Sequence, residues 1–167
     1  MIRLLAVVAA TSALAASPRK IRGVRADRWT FDVLTRRKGE DRAEIVAVDK
    51  RGEVGWFEVL RAKASGVAKP LHARLRGEPD VDRGFGRDIM VEPEARRRGV
   101  AEAMVAAAED VVRGWDLSEL VLTAVKSHEP SYSLYRKMGF EEVPAELAKD
   151  SESVMLRKFV PTPTRTD

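Results

Sequence analysis

At 167 residues, 44% apolar and 34% charged, the chain has the length and the burial material of one globular domain and is too short to divide into two cores. It contains no cysteine, which excludes disulfide scaffolds, Cys-ligated zinc and thiolate nucleophiles, and His72 and His128 alone are too few for a His-rich cage, so no metal is expected. The formal charge of +4 is concentrated at one end: residues 1–28 hold six basic residues against Asp27, while the remaining 24 basic and 25 acidic residues nearly cancel, leaving no field that would draw nucleic acid.

Residues 1–27 read as a leader. Met1 to Ala16 has an early positive charge, Arg3, then an apolar run from Leu4 to Ala10 that continues through small residues, as signal peptides do. The run falls short of the roughly 20 apolar residues that span a bilayer, so no permanent membrane anchor is expected. Ser17 to Arg25 is basic and free of acid, like an organellar transit segment. Signal-like then transit-like order resembles the bipartite leaders of plastid proteins in algae with additional plastid membranes. A mitochondrial presequence and a plain secretory signal are the rival readings.

Residues 28–160 hold the patterned part of the chain. Trp29 to Thr35 sets Trp29, Phe31 and Val33 against Thr30, Asp32 and Leu34 with period two, and Ala43 to Val48, with Ile45 and Val46 at its centre, follows the turn at Arg37 to Asp41; both read as strands. A second turn, Asp49 to Gly52, leads to a third strand over Val54 to Leu60, so the three make an antiparallel meander. Residues 63–83 carry Gly66, Pro70, Gly77 and Pro79 and read as a long connection with one short helix near Leu71 to Leu75.

A fourth strand is expected over Arg87 to Val91, ended by Pro93. Val100, Met104, Ala107, Ala108, Val111 and Val112 recur at helical spacing and predict a helix over Gly99 to Arg113, closed by Gly114. Leu120 to Val125 is an apolar run of strand length that reads as a buried parallel strand. A second helix starts at Pro130 and stops at Gly139. Phe140 to Val143 and Ser153 to Val160 are the last strands, and residues 161–167 form an unpatterned tail. This order implies a mixed α/β sheet.

The junction between the fourth strand and the first helix suits an anion. First-turn amides lack intrahelical partners, aligned peptide dipoles add positive potential, and Gly99 and Ala101 keep side-chain bulk away. Arg96 to Ala101 fits [QR]-x-x-G-x-[GA], the cofactor signature of the GNAT acetyltransferases. The segment His128-Glu129-Pro130-Ser131-Tyr132-Ser133-Leu134-Tyr135-Arg136-Lys137-Met138-Gly139-Phe140 resembles that family's N-x-x-A-x-x-L-Y-x-K-x-G-F. On these two motifs the chain resembles a GNAT domain over residues 84–143, and in outline over residues 29–62.

The resemblance implies a mixed, mostly antiparallel central sheet with flanking helices, and an enzyme moving an acetyl group from acetyl-CoA to a primary amine of a protein or a small molecule. The main chain of Arg98, Gly99, Val100 and Ala101 would hold the pyrophosphate, Arg96 and Arg97 would add charge at the rim, and the main chain of Met90 and Val91 would pair with pantetheine. Tyr135 would protonate the departing thiolate; its plainer reading is a core aromatic. The absence of a cysteine nucleophile favours direct attack. Glu58, Asp88 and His128 are the candidate bases, the last standing where the family most often has Asn, and water is the alternative to all of them. Acetyl-CoA must be present where such an enzyme works, which favours an organelle, the plastid first, over the secretory route.

Two departures stand out. His128 replaces the usual Asn, and only about six residues separate the first two strands, where family members usually place two helices. The N-terminal half is therefore shortened, and the insert around Pro70 to Leu75 is the candidate replacement wall. These departures keep an alternative open, a non-catalytic module that binds acyl-CoA or docks a partner.

Overall fold

The computed structural model describes residues 19–21, 29–62, 81–144 and 153–161; the expected helix near Leu71 to Leu75, most of the leader and most of the tail lie outside them. Strands β1 (Arg19–Ile21), β2 (Phe31–Arg37), β3 (Arg42–Asp49), β4 (Gly52–Ala62) and β5 (Arg83–Val91) are followed by a 3-10 turn at Pro93–Ala95. Helix α1 (Val100–Gly114), β6 (Glu119–Val125), α2 (Glu129–Lys137), β7 (Glu141–Glu142) and β8 (Ser153–Phe159) complete the order. All eight strands join one sheet, ordered β1-β2-β3-β4-β5-β6-β8-β7.

Short polar turns set the first half. Lys38 to Asp41 returns the chain from β2 to β3, with the Lys38 amide on the Arg42 carbonyl at 2.9 Å, and β2, β3, β4 and β5 pair antiparallel in sequence order. The meander is therefore present, and no helix separates β2 from β3. One strand was not anticipated: β1, within the segment read as leader, pairs antiparallel with β2, Lys20 opposite Asp32. Among the described strands β5 and β6 are the one parallel pair, and β8 pairs antiparallel with both β6 and β7.

The core lies between the sheet and α1. The apolar stripe predicted for the helix buries Val100, Met104, Ala108, Val111 and Val112 against Val33, Ile45, Phe57, Val59, Leu120 and Leu122. At 25 cal/mol per Å², each fully buried side chain of this size stabilises by about 1.5–3 kcal/mol, so the helix is held by its buried face.

β5 begins at Arg83 rather than at Arg87. Gly84 and Gly86 are strand residues whose missing side chains admit neighbours. A Cβ on Gly84 would sit 2.4 Å from Val112 Cγ2, and one on Gly86 would sit 2.5 Å from Phe57 Cζ. Gly84→Ala is expected to lower stability by about 1–3 kcal/mol through overpacking, read as a lower urea midpoint with an unchanged slope; an unaltered midpoint would show that α1 gives way freely.

Two further boundaries differ. The strand expected over Phe140 to Val143 reduces to Glu141–Glu142, because Phe140 turns inward to the core and its amide bonds the Tyr135 carbonyl at 3.0 Å. The second helix starts one residue earlier, at Glu129, and ends at Lys137.

Candidate active site

The parallel pair is joined only at its root. Gly84, Phe85 and Gly86 pair with Leu120, Val121 and Leu122, and there the buried Arg83 and Glu119 side chains form an ion pair. Beyond Gly86 the strands part. The cause lies on β5, where Asp88 adopts φ 55° and the β4–β5 register slips between Trp56 and Glu58. Such a bulge bends its strand and increases local twist, carrying Arg87 to Val91 away from β6. Asp tolerates the left-handed conformation better than most residues.

The gap is a cavity of about 280 Å³. Phe57 lines it from β4, Gly86, Arg87, Asp88 and Ile89 from β5, Thr123 and Val125 from β6, and His128, Ser131 and Tyr135 from the N-cap and body of α2. Met90, 63% exposed, follows Ile89 on β5.

At the outer end of β5 the chain passes through Pro93–Ala95 into α1. Arg97 has φ 59° and Gly99 φ 82°; Gly99 is the N-cap, and no side chain caps the helix. A Cβ on Gly99 would meet nothing within 4 Å, so the approach to the first-turn amides is open. These amides and the helix dipole attract an anion.

The three arginines before the helix do different things. Arg96 Nε donates to the Val91 carbonyl at 3.0 Å, tying the turn to β5. Arg98 lies 5.0 Å above the Trp29 ring, and Trp29 Nε1 donates to Asp49 Oδ2 at 3.0 Å. Arg51 also bonds that carboxylate, and its amide, with the other donors, holds Asp49 below its usual range. Arg97 is exposed and has no partner among the described residues.

Tyr135 is buried, with 3% exposure, and packs edge-on against Phe140 at 5.8 Å. It is thus a core aromatic and a cavity wall together. Burial pushes its phenol up to about 12, so the hydroxyl keeps its proton throughout the neutral range.

The three candidate bases separate by place. Glu58 is fully buried on β4, outside the cavity lining. Its Oε1 lies 2.5 Å from Arg42 Nε and its Oε2 pairs with Arg87 Nε. Asp88 and His128 both line the cavity. Asp88 is exposed and 3.5 Å from Arg87 Nε. His128 is exposed at the N-cap of α2, with Nδ1 2.6 Å from Ser131 Oγ. Sequence reasoning missed Ser131, Phe57 and Gly86 as cavity residues; only Ser131 carried a signal, since it occupies the Ala position of the quoted motif.

The chain is thus a mixed α/β fold whose sheet parts between its parallel strands, with an uncapped helix start following the outer end of β5. Residues 32–140 match the model of the acetyltransferase (GNAT) family, and the chain belongs to that family. Its fold is similar to that of nourseothricin acetyltransferase (22% identity, TM-score 0.54, covering 72% of this chain and 66% of that one). It is also similar to Arabidopsis thaliana NAA60 in complex with acetyl-CoA (17%, 0.56, 72% and 77%). A third similar structure is the paia N-acetyltransferase of Thermoplasma acidophilum in complex with coenzyme A (15%, 0.53, 71% and 61%). The chain spans just under two-thirds of the first of these proteins. No curated protein sequence matches it.

Proposed function

We propose that this protein is an N-acetyltransferase that takes the acetyl group of acetyl-CoA and passes it to a primary amine, of a protein or a small molecule, by direct attack. The observation that carries the reading is the parting of β5 from β6 after Gly86, with the open start of α1 at one end of the gap. The residues fit the cofactor. Amides of Arg98 to Ala101 would take the pyrophosphate, the unpartnered Arg97 would add charge, and the parted edge of β5 at Met90 and Val91 would receive pantetheine. Arg96, already bonded to the Val91 carbonyl, would hold the turn in place.

Acetyl-CoA supplies an activated thioester. Tyr135 holds a proton at the cavity wall for the sulfur, and a dry site makes such a donor effective. Asp88 and His128 are the bases the cavity presents. Glu58, ion-paired with Arg42 and Arg87 and outside the cavity lining, positions Arg87 instead. An organelle, the plastid first, is the compartment proposed, because the basic leader and the need for acetyl-CoA agree there.

Release of free thiol from acetyl-CoA, measured across amino acids, polyamines, aminoglycosides and N-terminal or lysine peptides, tests the proposal. Turnover with at least one amine is expected. Tight coenzyme A binding without thiol release for any acceptor would instead mark a binding module.

A further inference from the structure

We propose that Ser131 and His128 form a dyad in which the serine fixes the imidazole tautomer, presenting Nε2 to the cavity as the proton acceptor; this deepens, and rests on, the acetyl-transfer reading. Ser131 Oγ lies 2.6 Å from His128 Nδ1 and 3.1 Å from the His128 carbonyl oxygen. A serine hydroxyl has one proton, and a carbonyl can only accept. If the hydroxyl donates to the carbonyl, its lone pair accepts from Nδ1–H and both contacts are satisfied. If it donates to Nδ1, oxygen lone pairs face each other at 3.1 Å. The first arrangement therefore wins, and it leaves Nε2 with a free lone pair. The His128 backbone bonds the Val125 carbonyl and the Ser131 and Tyr132 amides, but its imidazole makes no further hydrogen bond among the described residues, so that lone pair is available.

The two residues are those at which the chain departs from the quoted motif, His for Asn and Ser for Ala, and the structure brings the departures into contact. Other charged or titratable groups lining the cavity are Arg87, Asp88 and Tyr135. Nearby, Lys126 pairs with Glu142 at 3.1 Å, Tyr132 donates to Glu142, and Glu129 accepts from Ser133 at 2.5 Å, so none of these competes for Nε2.

In the step proposed, the amine nitrogen donates its lone pair to the acetyl carbon as the carbon–sulfur bond breaks with its pair on sulfur. Tyr135 gives sulfur a proton, His128 Nε2 takes the proton that nitrogen sheds, and solvent carries that proton back to Tyr135. Amine and thioester become amide and thiol with no further reactant. Ser131 is a positioning residue, acting through His128.

The chain has two histidines, so long-range 1H–15N spectra of 15N-histidine protein, with His128→Gln identifying the signal, report the tautomer without turnover. The Nδ1–H form is expected in the native protein, shifting toward Nε2–H in Ser131→Ala. With an amine that turns over, His128→Gln should lower kcat while leaving coenzyme A affinity unchanged. Ser131→Ala should lower kcat about tenfold, one misplaced proton acceptor being a modest fraction of general-base catalysis, and Ser131→Thr should restore it. An Nε2–H native form, or Ser131→Ala and His128→Gln rates equal to wild type, overturns the dyad. Absence of turnover in the native protein with every amine overturns acetyl transfer and the base role together, while the spectrum still decides the tautomer.

Discussion

Tyr135→Phe is expected to lower kcat by about 10²- to 10⁴-fold, the range for loss of one positioned proton donor, with coenzyme A affinity unchanged. The hydroxyl is the only group removed. It has no hydrogen-bond partner among the described residues, so the ring can stay against Phe140 and the fold should hold. An unchanged kcat would sink the assignment of Tyr135 as donor. The raised phenol provides a second reading. A phenol whose proton is held more tightly in the folded than in the unfolded chain contributes stability that is complete below pH 10 and is lost as pH rises toward 12. Tyr132 also lies above its ordinary value, because its hydroxyl donates to Glu142. Since the chain has two tyrosines, absorbance at alkaline pH should show little phenolate at pH 10 in the native protein and about half ionisation in the denatured one. Tyr135→Phe should flatten the alkaline decline of the melting temperature.

Period-two alternation made β2 legible and helical spacing made α1 legible, because burial on one face imposes those periods directly, while β3 and β4, buried on both faces, were legible as apolar runs set off by polar turns. β5 was legible only from Arg87 onward. That Gly84 and Gly86 belong to the strand follows from Val112 and Phe57 pressing on them, a tertiary fact with no local trace. β1 is short and pairs at the sheet edge, in a stretch whose basic composition pointed to targeting. The site divides likewise. The helix start and Tyr135 were readable as motifs, whereas the bulge at Asp88, which parts the strands, depends on pairing register. Glu58 illustrates the limit: as a strand carboxylate it looked available, and only packing reveals Arg42 and Arg87 at its two oxygens.

Gly99→Asp should separate cofactor binding from folding. Gly99 sits at φ 82°, where most side chains are strained, but Asp is among the residues that enter this region most readily, and its Cβ would meet nothing within 4 Å. A carboxylate at a helix N-terminus interacts favourably with the dipole by about 0.3–1 kcal/mol, which offsets part of the backbone cost. The melting temperature without ligand should therefore move little. For a diphosphate the same carboxylate is a like charge placed at the amides it must reach, and such juxtaposition costs several kcal/mol. Affinity for coenzyme A, by calorimetry, should fall about 100-fold or more, and the ligand's thermal protection should vanish. Gly39→Asp is the matched control, a turn glycine at φ 95° with equally open space and no place in the site. If both variants bind coenzyme A as the native protein does, the first turn of α1 is not where the pyrophosphate rests.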